Sequence, residues 1–350
     1  MTAIGAIRLG RWHTRCPVCR EAAFPTDGPL GVDGFLTRRA QRMASLAGVN
    51  DPFRKAEVLL RELSGWAVDA ETLRRVTHAE ASTATRTRDQ RQALPTAFAR
   101  AQATEALTDD EVHIDAGKVN TTGGWRDVKV AVFAVRERAA ACATAEAASR
   151  ALPAPAVRSV IAAVEEVGWF APRCRAEADR LGLIDPSRVS VLGDGAEWIW
   201  NLATEQFPSA AQMLDYYHAA ESLAAAGRAS LAAGAFPAWL EGATGQLLSD
   251  GYAGACEALA GLPGGASEIA GALNYLAGHR DRLHYAARVR RGQVIGSGLV
   301  EGTIKQRVNL RLKRTGARWR VEGVGPLVEL LALSDTPEWA EYWNGNPLAA

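Results

Sequence analysis

The sequence predicts an α/β protein: a mixed sheet with helical regions before it and inserted into it. Three observations carry that expectation. RVSVLGDGAEWIWNLATEQFPSAAQMLDYYHAAE (residues 188–221) reads as strand, helix, strand, because Val189, Val191 and Leu192 form an apolar run ending at Asp194, and Ala210 to Leu214 form a second ending at Asp215. EVHIDAGKVNTTGGWRDVKVAVFAV (residues 111–135) places apolar residues on both sides of a turn from Thr121 to Gly124, as a β-hairpin does. Flanking segments space their apolar residues by three and four, as helices do.

In chain order, residues 1–35 form an irregular segment containing His13, Cys16 and Cys19 in WHTRCPVC. A Cys-Pro-x-Cys knuckle aims two thiolates at one tetrahedral ion and suits Zn²⁺, but four ligands are required and His13 supplies only a third. A partial zinc site at Cys16 and Cys19 and an empty half-site are both open readings. Residues 36–105 read as helical: Ala56, Leu59, Leu60 and Leu63 share a face, Ser64-Gly65 breaks the helix, and Asp69 is placed to cap the next one. Helix, glycine turn, helix is the outline of a helix-turn-helix DNA reader and equally of an ordinary helical hairpin. Arg74 and Arg75 on the second helix favour DNA contact.

The hairpin then opens a core predicted over residues 106–218 and 290–335, with Asp115 in its first strand. Ala139 to Ala156 is Ala-rich and reads as a short strand with a connection. Val157 to Leu183 reads as one helix or two. Residues 219–289, rich in Ala, Leu and Gly, read as an α-helical insertion. GSGLVEGTIKQRVNLRLKRTGARW (residues 296–319) restores a strong helix, with Ser297 as a cap and Val300, Ile304, Val308 and Leu312 as the stripe that packs on the sheet. Glu301 lies beside that stripe, and the helix is expected to continue outward as a basic rod.

At 350 residues with 48% hydrophobic and 23% charged residues, the chain is long and apolar enough for a sizeable core. It has no apolar run of about 18 residues and no basic-then-apolar leader, so no membrane association is expected and a cytoplasmic, nucleoid-associated location is. Five cysteines, three of them isolated, do not make a disulfide framework. Net charge is only +1, yet Arg280 to Arg320 holds twelve basic residues against two acids, a local +10 that leaves −9 elsewhere. Such a concentration points to a polyanion surface, with Lys305, Arg307, Arg311, Lys313, Arg314 and Arg318 as candidate DNA contacts.

Asp115, Asp194 and Glu301 stand 79 and 107 residues apart, each where the expected fold delivers it to one sheet edge. Hard oxygen ligands from separate elements are what two Mg²⁺ or Mn²⁺ ions need for phosphoryl transfer. Asp215 also ends a strand and is the alternative to Asp194 as second acid.

HIDAGKV around Asp115, VLGDGAEWIWN around Asp194, FPSAAQMLDYYHAAE and the Glu301 segment resemble, in this order, the motifs of the Kra-type insertion-sequence (ISKra family) transposases, relatives of Mutator-like and hAT-like elements. The likeness spans about Cys16 to Trp319. It implies a ribonuclease H-like core with an α-helical insertion, an Asp115/Asp194/Glu301 triad binding two Mg²⁺ or Mn²⁺, and cleavage and strand transfer of double-stranded DNA at element ends and target. Asp215-Tyr-Tyr-His218 matches the [C/D]xxH motif, giving His218 a place at the scissile phosphate or in organising the site. A homodimer or larger assembly on DNA is expected because two ends must be paired. The other function classes left open are a metal-dependent nuclease without strand transfer and a non-catalytic DNA-binding protein on a retired core.

Overall fold

The structure is a computed structural model that describes residues 1–2, 6–8, 10–28, 31–33, 35–144 and 150–344. Its centre is a five-stranded mixed sheet built from four of the strands expected and one that was not; the short strand read in Ala139–Ala156 is absent from that segment's described residues. The long hairpin pairs β5 (Thr108–Thr121) with β6 (Gly124–Glu137), and β6 pairs antiparallel with β7 (Val157–Ala163). On the other side β8 (Val189–Gly193) lies parallel to β5, and β9 (Ala211–Leu214) parallel to β8, giving the order β7-β6-β5-β8-β9.

β7 corrects the expectation of one helix or two over Val157 to Leu183. Its last five residues are all buried, because the strand is covered on both faces, so no alternation marks it. The helix, α5 (Val167–Leu181), begins only after Glu165 and Glu166. Part of the Ala139–Ala156 segment, residues 145–149, lies outside the described residues.

Before the sheet come two small strand pairs, β1 (Thr14–Arg15) with β2 (Ala22–Ala23) and β3 (Val32–Asp33) with β4 (Leu36–Thr37). Helices α1 (Arg38–Asn50), α2 (Phe53–Ser64), α3 (Ala70–Arg86) and α4 (Ala93–Gln102) follow. The helix-turn-helix punctuation is where the sequence puts it: Gly65 ends α2 in the left-handed conformation at φ +66°, and the Asp69 carboxylate accepts from the Thr72 amide at 2.9 Å to start α3. Of the stripe read on α2, Ala56 and Leu60 are buried while Leu63 is 82% exposed.

One face of the sheet carries α5, α6 (Glu197–Gln206) and the helices of the insertion: α7 (Tyr216–Ser230), α8 (Phe236–Asp250), α9 (Tyr252–Ala260), α10 (Ala266–Gly278) and α11 (Tyr285–Arg290). The other face carries the Glu301 helix, α14 (Val321–Leu333) and α15 (Glu338–Asn344). The Glu301 helix begins as α12 (Gly298–Thr303), widens into a π-helical stretch (Ile304–Asn309) and ends as α13 (Leu310–Leu312). Val300, Ile304, Val308 and Leu312 are buried against the sheet as expected. α3 packs along α14, and Arg38 of α1 bonds Glu80 of α3 and the Tyr342 carbonyl, so the N-terminal helices are joined to the core. Among the described residues no helix is long and apolar enough to cross a membrane.

Candidate active site

Strand register brings the acids together. In the parallel ladder Ile114 pairs with Gly193, and Gly193 with Leu214. Asp115, Asp194 and Asp215 are the next residue on each of these three adjacent strands, so three carboxyl-bearing positions follow one another across the sheet edge. Neighbouring strands lie about 4.8 Å apart, which sets the scale of that row. Glu301 is added from above. Its helix approaches β5 closely because Gly117 has no side chain: a Cβ there would stand 3.1 Å from Ile304 Cγ2.

The four acids differ in what holds them. Asp215 is fully buried. Its Oδ1 accepts from the His218 amide at 2.9 Å, capping α7, and its Oδ2 accepts from the Ser297 hydroxyl at 2.8 Å and the Ser297 amide. His218 Nδ1 lies 3.3 Å from Oδ1 as an ion-pair contact outside hydrogen-bond geometry. Burial alone would raise the Asp215 pKa, but His218 and the Ser297 donors outweigh it and hold the group below the ordinary value. The contact with Asp215 in turn raises His218 to about 9, with Asp194 and Glu301 adding to the effect against burial.

Asp115 and Asp194 each accept one backbone amide on Oδ1, from Ala116 at 2.6 Å and Ala196 at 3.0 Å. Their Oδ2 atoms take no hydrogen bond from any described residue. Burial, with the charges of Asp194 and Glu301, raises Asp115 to about 6 against the Ala116 amide and His218. Glu301 is half-buried, 3.2 Å from the Ser297 hydroxyl and 3.4 Å from Lys305 Nζ. Gly195 turns the chain after Asp194 at φ +102°, and Tyr275 of the insertion donates to the Asp194 carbonyl at 2.8 Å.

Donor atoms of Asp215, His218 and Glu301 lie within 4.8 Å of one another, the one three-residue set of this kind among the described residues. Asp215 nevertheless has both oxygens occupied by donors of the fold. The oxygens left open belong to Asp115, Asp194 and Glu301; these three do not form a set within 4.8 Å, so one ion is not enclosed by all of them, and what they offer is open hard-oxygen ligands beside the Asp215–His218 pair.

The other candidates are more scattered. Arg20, at φ +63°, folds back between β1 and β2, and the amides of Cys19 and Val18 draw the Cys16 thiol below its ordinary pKa. His13 stacks on Phe24 at 5.2 Å and does not join Cys16 and Cys19 in a three-ligand set. The basic rod is corrected. Arg311 is 3% exposed, donates to the Gly48 carbonyl and lies against the Phe53 and Trp319 rings, because α1 covers that side of the helix. Arg307 is tied to Asp335 and Asn50, and the helix stops at Leu312. Arg318 is exposed but donates to the carbonyls of Thr121 and Thr122, and Arg74 pairs with Glu71. Lys305, Lys313, Arg314 and Arg75 are exposed. Ser297 also departs from expectation: it makes no capping bond, and its hydroxyl turns to Asp215 and Glu301.

No protein-family model matches this chain, and no curated protein gives a significant match. The likeness to Kra-type transposases therefore rests on the four motifs and their order.

Proposed function

We propose that the protein is a DNA transposase with a ribonuclease H-like core, in which Asp115, Asp194 and Glu301 hold two Mg²⁺ or Mn²⁺ ions and support cleavage and strand transfer on double-stranded DNA. The observation that carries this reading is the placement of Asp115 and Asp194 at the same register on adjacent parallel strands, with Glu301, from a helix more than a hundred residues later, near enough for its charge to raise Asp115. Divalent ions bound there would lower the pKa of a water or 3′-hydroxyl nucleophile and offset charge on the leaving oxygen. The chain's own residues do the rest. β5 and β8 fix the spacing of the two aspartates, Gly117 admits the Glu301 helix, and Asp215 holds His218 as a cation beside the acids, where a phosphate oxygen would meet it. Exposed Lys305, Lys313 and Arg314, with Arg318 and Arg75, are the proposed phosphate contacts.

The test is incubation of the purified chain and its Asp115→Asn, Asp194→Asn and Glu301→Gln variants with a plasmid carrying the DNA that flanks the coding sequence on both sides, in Mg²⁺ or Mn²⁺. Metal-dependent cleavage and joining, lost in all three variants, is expected. Cleavage without joining would make the protein a nuclease, and binding without cleavage a DNA-binding protein on a retired core. Cleavage that survives Glu301→Gln at saturating metal would remove Glu301 from the triad.

A further inference from the structure

We infer that Ser297 is a positioning residue that sets the carboxylate of Glu301 for a cation by means of its single hydroxyl proton. The inference rests on the metal reading above. Ser297 is 1% exposed and its Oγ stands between two acids, 2.8 Å from Asp215 Oδ2 and 3.2 Å from Glu301 Oε1. Both neighbours are acceptors, and a serine hydroxyl has one proton to give. Only one carboxylate can receive it at a time, and the other then faces an oxygen lone pair.

The two acids do not need that proton equally. Asp215 has the Ser297 amide on the same oxygen, the His218 amide on the other, and the imidazole at 3.3 Å. Glu301 has only Lys305 besides, at 3.4 Å and on its other oxygen. The hydroxyl is thus a surplus donor for Asp215 and the sole uncharged donor for Glu301. Donating to Oε1 of Glu301 fixes that carboxylate's rotamer and leaves Oε2 to a cation, and the bond is kept when the cation is bound. The backbone amide keeps Asp215 in place without the hydroxyl, so His218 is undisturbed. Partners that orient metal-ligating groups in this way are worth 10–100-fold in metal affinity.

The experiment is a Mn²⁺ titration of the full chain followed by electron paramagnetic resonance, comparing wild type with Ser297→Ala, Ser297→Thr and Ser297→Cys, and with Asp115→Asn as the control for the site. Wild type is expected to bind Mn²⁺ and Asp115→Asn to lose it. Ser297→Ala is expected to bind about 10–100-fold more weakly. Ser297→Thr, which keeps the hydroxyl, is expected within about twofold of wild type. Ser297→Cys fills the space but donates weakly, so it is expected to fall with Ala and decides the matter should the Ala variant not fold. Wild-type affinity in Ser297→Ala or Ser297→Cys overturns the inference, as does a Thr variant as weak as Ala. Failure of wild type to bind Mn²⁺ through Asp115 instead overturns the metal reading, and this inference with it.

Discussion

The Tyr275 hydroxyl donates to the backbone carbonyl of Asp194 at 2.8 Å, so a residue of the helical insertion clasps the turn that carries the second acid. Gly195 in that turn has φ +102°, and a Cβ on it would lie 2.5 Å from the same hydroxyl. Tyr275→Phe removes one hydrogen bond and is expected to cost about 1 kcal/mol of stability. Gly195→Ala combines backbone strain with a clash and is expected to cost more, about 2–3 kcal/mol. Thermal unfolding of the two variants checks the order, and Mn²⁺ affinity should fall in the same order.

Asp115→Asn should stabilise the metal-free protein while removing the proposed DNA cleavage. Asp115 is raised to about 6 in the fold, so the folded state holds this proton more tightly than the unfolded chain does. The group therefore lowers stability as pH rises from about 4 through about 6, and the deficit is complete at neutral pH. After allowance for solvent screening it amounts to about 1–2 kcal/mol. Urea unfolding at pH 7.5 should show Asp115→Asn more stable than wild type by that amount, with the difference vanishing near pH 4. Added Mn²⁺ should stabilise wild type alone.

Glu177 gives the opposite sign. Despite burial, Arg88 and Arg180 with the Ser159 hydroxyl hold it down to about 2. Its contribution is full above about 4.5 and is lost as pH falls toward 2, about 3 kcal/mol in all. Acid unfolding of wild type should steepen in that window, and Glu177→Gln should flatten the curve there and lower stability at pH 7. An unchanged acid limb would show that the network does not hold its proton-free form.

The basic residues of the Glu301 helix and of the turn after it should separate into two classes. Arg311→Ala strips the Gly48 carbonyl of its donor and two rings of their cation, so a loss of about 2–4 kcal/mol is expected, with the salt dependence of the proposed DNA binding unchanged. Lys313→Ala with Arg314→Ala should leave stability within about 0.5 kcal/mol. If both contact phosphates, the same pair should reduce the salt slope of binding by about 1–2. Binding isotherms between low and moderate salt, beside melting curves, distinguish the classes.

What the sequence made legible follows from local chemistry. Alternating or continuous apolar runs that stop at an aspartate located β5, β8 and β9, and Gly65 and Asp69 marked the ends of α2 and α3, because each signal lies within a few residues of its effect. β7 was hidden because VRSVIAA runs into α5 with no glycine or proline between them, and a strand covered on both faces loses its alternation. The π-helical stretch after Glu301 left no pattern in the stripe. Arg311 misled because counting charge assumes solvent around each one, and Ser297 read as a cap because its true partner, Asp215, is 82 residues away. The row of aspartates itself was only half visible: its members could be named, but which oxygens stay open is set by the register and by Ser297.

The most direct test of the central claim is a crystal of the protein grown with Mn²⁺ and measured for anomalous scattering at the manganese edge. Peaks are expected among the carboxylates of Asp115, Asp194 and Glu301, with Asp215 still bonded to Ser297 and His218. A peak held by Asp215, His218 and Glu301 with Asp115 and Asp194 unligated, or no peak at all, would contradict it.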